Sequence, residues 1–151
     1  MAASTADRFD LLGALVEYIP YSVKASQQIY QGIMVMLIPS GTAGDELVPA
    51  ADTSGGRVVG LSMQNVLGGA TDGAVTCNVQ PIGAPDAGRY WELDATSPTV
   101  AAWVGQLVYV VDDHTVALAA TTTNDVVVGL CVRVTKTGTS GRVLVDTLQR
   151  A

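Results

Sequence analysis

The tetrapeptide Val-Val-Gly-Leu occurs at residues 58–61 and again at 127–130. Its surroundings recur as well. Downstream, Leu61 and Met63 match Leu130 and Val132 on one face of a period-two pattern, and Ser62 and Gln64 match Cys131 and Arg133 on the other. Such alternation reads as a half-buried strand. Gly73 and Gly141 each open a second alternating run, Val75/Cys77/Val79 and Val143/Val145, after the turn-forming "TDG" and "TSG". Upstream, "QGIMVML" (31–37) matches "VGQLVYVV" (104–111), with Tyr30 and Trp103 each two residues before Gly32 and Gly105. "YSVKAS" (21–26) matches "WELDAT" (91–96), pairing Tyr21 with Trp91 and Val23 with Leu93. The repeat spans about 18–79 and 90–147.

Each unit holds about five short strands rich in Val, Thr, Ile and Tyr, cut by Gly, Pro and Asp, with no helical pattern between them. The expected fold is all-β: a compact barrel or sandwich of about ten short strands built from two similar halves. The two copies are expected to close around one core with approximate two-fold symmetry. "PIGAPDAG" (81–88) links them, its prolines being unsuited to a sheet interior. Residues 1–17 lie outside the repeat and are expected to form an extended or short-helical N-terminal arm, leaving 18–151 as a single β domain. Thr5 can cap a helix over 6–16 that Gly13 weakens. The arm's apolar set is Phe9, Leu11, Leu12, Leu15 and Val16. It either packs on its own barrel or stays mobile until it meets a partner.

Charge narrows the function. The formal net charge is −6, and two Lys and six Arg are scattered singly, so nucleic acid is a poor partner. No stretch approaches the roughly 20 apolar residues of a membrane helix. The first residues lack a cationic region, and Asp7, Arg8 and Asp10 break the apolar run, so they do not read as a secretory signal. The protein is expected to be made in a cytoplasm. Cys77 and Cys131 are too few for a disulfide scaffold and are expected to be reduced.

Chemistry is sparse. His114, the only histidine, follows Asp112 and Asp113 in what reads as a hairpin turn. No serine sits in a nucleophile elbow. One His and two distant Cys do not make a zinc site, and the carboxylates of "DELVPAAD" and "DDH" match no calcium-loop spacing. The glycine-rich "GTAGDE" and "LGGATDG" lead into strands rather than the helix a phosphate loop needs. Lys24 and Lys136 lack the setting of a swinging-arm carrier lysine. Tyr18, Tyr21, Tyr30, Tyr90, Trp91, Trp103 and Tyr109 are candidates for a sugar groove. Their recurrence in both units suits core packing or a subunit contact better. No catalytic, metal or cofactor site is expected.

The order "IYQGIMVML", "LVPA", "RVVGLSMQNVLGGATDGAVTCNVQPIG", "VGQLVYVVDD", "VALAA", "VVVGLCV" and "GRVLVDTL" resembles the small head decoration, or cement, proteins of tailed bacteriophages. The likeness runs from about Tyr18 to Leu148 and rests on glycine and valine patterning. It implies a structural virion protein, not an enzyme, on the exterior of the mature head, bridging major capsid subunits. It implies self-association, a homotrimer being favoured and a dimer possible, and an arm reaching over neighbouring subunits. On that reading Phe9, Leu11, Leu12 and Leu15 are apolar anchors for the capsid, and Tyr18 and Tyr21 lie where arm meets barrel. An exposed strand edge is a further place for a capsid strand to add. The alternative is a carbohydrate-binding or adhesin-like β-module.

Overall fold

The structure, a computed structural model, describes residues 18–39, 45–83 and 89–150. Phe9, Leu11, Leu12, Leu15 and the rest of the arm lie outside the described residues. The fold is all-β. The described strands number twelve rather than about ten, because two-residue pairings add to the main ladders.

The first half holds β1 (Ile19–Ser22), β2 (Gln28–Ile29), β3 (Met34–Pro39), β4 (Asp45–Pro49), β5 (Arg57–Ser62), β6 (Val66–Leu67) and β7 (Thr76–Pro81). The second holds β8 (Tyr90–Ala95), helix α1 (Val100–Trp103), β9 (Leu107–Val110), β10 (Val116–Ala117), β11 (Val127–Lys136) and β12 (Gly141–Asp146). The two five-stranded sheets run β1-β7-β5-β3-β4 and β8-β12-β11-β9-β10, the same order of equivalent strands, every ladder antiparallel. Each sheet curls until its outer strands meet at an isolated parallel bridge, Val23 with Leu47 and Asp94 with Thr115. The curl covers edges that would otherwise stand open. β2 and β6 form a separate two-stranded ribbon.

The equivalence holds to single residues. The Gly32 N–H donates to Ser62 O, and the Gly105 N–H to Cys131 O, both at 2.8 Å. Gly60 and Gly129 answer the question of the repeated glycine. A Cβ on Gly60 would stand 2.0 Å from Gln80 O and 2.5 Å from a Val79 methyl. On Gly129 it would stand 2.4 Å from Asp146 O and 2.9 Å from a Val145 methyl. At this point β5 and β11 pass so close to the next strand that no side chain fits.

Two matches read from the sequence shift. Val79 pairs with Ile19, and its counterpart Val145 pairs with Trp91, so Tyr21 corresponds to Leu93 rather than to Trp91. A two-residue slip leaves every side chain on its own face, so alternation could not detect it. Val75 likewise corresponds to Gly141, because Cys77 and Val143 share a register. Gly73 sits in a turn at φ +78°, whereas Gly141 makes room for Pro98. Pro81 lies in the sheet after all, as the last residue of β7.

The core is also not one shared interior. Val23, Ile29, Val35, Leu47, Cys77 and Val79 form a cluster of the first half alone. The larger cluster joins Leu93, Val108, Val110, Val126, Val128, Val143 and Val145 of the second half to Met34, Met36, Val48, Ala50 and Val58 of the first. β3 is apolar along its length because it is buried on both faces, Val35 inward and Met34 and Met36 outward.

Polar contacts fix the junction. The Met34 N–H donates to Asp113 O (2.7 Å). The Asp52 carboxylate accepts from the Thr123 and Asn124 N–H groups at 2.7 and 2.8 Å. Arg150 Nη2 donates to Val58 O and Val127 O. A two-fold relation would bury the same positions in both halves. Instead Met34 and Met36 are buried while their counterparts Leu107 and Tyr109 are half-exposed. The halves therefore stack head to tail.

Candidate interaction surfaces

Of the six residues expected to meet a capsid, two are described. Tyr18 is 47% exposed immediately before β1. Tyr21 is half-buried on β1, and burial raises its phenol pKa. The two do not form one patch: alternation along β1 places Tyr18 with Pro20 on the outer face and Tyr21 with Ile19 on the inner one.

Tyr21 lines a groove of about 420 Å³ with Leu37, Arg57, Val59, Pro81, Ile82 and Arg150. Its floor is apolar and two guanidinium groups stand at it. The Arg150 pKa is lowered by burial, and its Nε has no partner among the described residues. A second groove, about 510 Å³, lies on the outer face of the second half, lined by Gly105, Leu107, Tyr109, Leu118, Ala119 and Leu130. Sequence reasoning missed both, because each is made by residues from separate strands. Among the candidate sugar-binding aromatics, Trp91 and Trp103 are only 3% and 7% exposed and belong to the core. Tyr30, at the position of Trp103, is 61% exposed; Ile29, one residue earlier, is buried in the first half's cluster instead.

The Asp112–Asp113–His114 turn was read as a connector, and its geometry is turn chemistry. Asp112 Oδ1 accepts from the His114 and Thr115 N–H groups at 3.0 and 2.8 Å, tying the turn back on itself. His114 Nδ1 lies 2.6 Å from Asp113 Oδ1, with Asp112 and Asp94 also near. The Asp113 contact, with help from Asp112 and Asp94, raises the His114 pKa above its ordinary value. The three turn residues lie close enough to share a cation, but the imidazole is exposed on the surface.

Cys77 and Cys131 are buried free thiols with pKa values pushed up by burial, the opposite of an activated nucleophile. Asp146 is buried and accepts from Arg89 at 3.2 Å (Nε) and 3.0 Å (Nη2), and from the Leu148 N–H at 3.1 Å. That pairing, Arg89 first, holds its carboxyl below the usual range. It ties the start of β8 to the C-terminal segment and so is a structural joint.

No helix among the described residues is long and apolar enough to cross a membrane. No protein-family model, no curated protein and no solved structure matches the chain.

Proposed function

We propose that this chain is a structural virion protein, a decoration or cement protein that binds the outside of a mature phage head. It would stabilise the shell by bridging major capsid subunits and act as a homotrimer. The observation that carries the reading is the kind of surface the fold offers. The two β units present large exposed apolar side chains, among them Tyr18, Tyr30, Leu67, Val100 and Leu148. The grooves at Tyr21 and at Leu107 are lined largely by apolar side chains, which is in keeping with a contact role. Exposed apolar groups suit protein–protein contact where they gather into a patch. The sequence patterning that resembles head decoration proteins agrees with it.

In this role the protein adds binding energy only to the closed shell, which by mass action raises the free energy needed to open it. Many weak copies on a symmetric lattice reinforce one another. The arm, with Phe9, Leu11, Leu12 and Leu15, would reach the neighbouring subunits, and Tyr18 would sit at its root.

The test is decoration of purified heads followed by co-sedimentation. A protein lacking residues 1–17 is expected to stay folded and to lose head binding. Full occupancy by the truncated protein would remove the arm from the mechanism. Failure of the intact chain to bind any head, together with affinity for a glycan array, would replace the proposal with the carbohydrate-binding reading.

A further inference from the structure

The internal repeat allows the surface of one half to be read against the other. Inside the chain the first half presents one face, and the second half receives it at one end. The presenting face is Met34, Met36, Val48, Ala50 and Val58, all buried in the joint cluster. The receiving end is marked by Asp113, Thr123 and Asn124, which take the first half's polar contacts.

Each half carries both surfaces, and one of each is left over. The second half's version of the presenting face is the 510 Å³ groove. Leu107 stands for Met34, Tyr109 for Met36 and Ala119 for Ala50, with Leu130, half-buried like its counterpart Leu61, beside them; Ala117, which stands for Val48, stays buried. Leu107, Tyr109 and Leu130 are half-exposed and Ala119 is exposed. The first half's version of the receiving end is the 420 Å³ groove. Tyr21 stands for Leu93, Leu37 for Val110, Arg57 for Val126 and Val59 for Val128. The four second-half residues are buried in the joint cluster, whereas Tyr21, Leu37 and Val59 are half-exposed and Arg57 is exposed. At Arg57, which stands for Val126, the charge itself calls for exposure; at Tyr21, Leu37 and Val59 the residue stays largely apolar and the local sequence does not call for the difference. It arises because one copy of each surface is covered within the chain and the other is not.

We infer that the protein binds a second copy of itself head to tail, the Leu107–Tyr109–Leu130 groove of one copy docking on the Tyr21–Leu37–Val59 groove of the next. The contact continues, between chains, the interface already made within each chain. It is heterologous, so copies add until rotation closes the ring. This inference does not rest on the capsid reading: it concerns the free protein, and head binding can fail without touching it.

Sedimentation equilibrium of the purified chain tests it with two variants. Ala119→Arg places a long charged side chain in the presenting groove, and Val59→Arg does the same in the receiving groove. Where Val59→Arg melts early by circular dichroism, Arg57→Glu at the rim replaces it. The wild type is expected to be oligomeric and each variant alone monomeric. An equimolar mixture of the two variants is expected to give a 1:1 dimer and nothing larger, since one intact groove of each kind remains. A monomeric wild type would overturn the inference. So would an oligomer that survives both variants, or one that a single variant abolishes and the mixture fails to restore in part, which would point to a symmetric contact instead.

Discussion

Gly60 and Gly129 stand at the same crossing in the two halves, each with its Cα hydrogens turned toward a backbone oxygen of the adjacent strand. The repeated tetrapeptide is thus a record of backbone proximity. A methyl group at Gly60 would meet Gln80 O at 2.0 Å, and backbone cannot yield as a flexible side chain can.

Gly60→Ala and Gly129→Ala are therefore expected to cost about 3 kcal/mol or more, at or above the upper end for overpacking. Gly32 and Gly105 give the control. They lie at φ +85° and +84° with nothing within 4 Å of a Cβ, so Ala there meets only backbone strain. That strain is about 1–2 kcal/mol. Urea denaturation of the four variants should separate the pairs. A milder effect at Gly60 and Gly129 than at Gly32 and Gly105 would refute the crowding argument.

Asp146 should govern part of the acid limb. Its carboxyl pKa is depressed in the folded state, with Arg89 the first cause. Its contribution is then present above the unfolded value of about 3.9 and lost as pH falls through the folded value. Asp146→Asn is expected to lower stability at neutral pH and to flatten the stability profile below about pH 4. An unchanged acid limb in the variant would show the pair to be inert.

His114 should titrate above the ordinary imidazole value. Its folded pKa is raised, so the stabilisation is fully present below the unfolded value of about 6.5 and disappears as pH rises through the folded one. The single imidazole makes proton NMR titration direct. Asp113→Asn is expected to bring the midpoint down, because Asp113 is the leading cause. A midpoint at or below the ordinary value in the wild type would contradict the 2.6 Å contact.

Glu46 is fully buried on β4, and neither carboxylate oxygen has a hydrogen-bond partner among the described residues. Leaving a polar group in that state costs about 1–3 kcal/mol. Glu46→Met keeps most of the volume and removes the unsatisfied oxygens, so thermal denaturation should show a gain of that order. A loss instead would mean that the carboxylate is engaged in solution.

Much of the fold was legible because its signals are local. Alternation in Val75/Cys77/Val79 and Val143/Val145 marked strands β7 and β12, and Gly32 and Gly105 marked equivalent positions. The slip between Tyr21 and Leu93 was invisible, since period two repeats every second residue and only cross-strand register resolves it. The head-to-tail stacking was equally hidden. Met34 and Leu107 are both apolar residues in matching strands, and which one is covered depends on contacts between distant segments. Phe9, Leu11, Leu12 and Leu15, expected as anchors, fall outside the described residues. Tyr21, expected where arm meets barrel, also lines a groove, which no linear pattern announces.

The two thiols fall in different apolar clusters, Cys77 in that of the first half and Cys131 in the one that spans the junction. Each is sealed from reagent while its surroundings hold. Alkylation under mild denaturant, followed by mass mapping, thus acts as a pair of clocks within one molecule: the order in which the sulfurs are trapped reads out which unit loosens first.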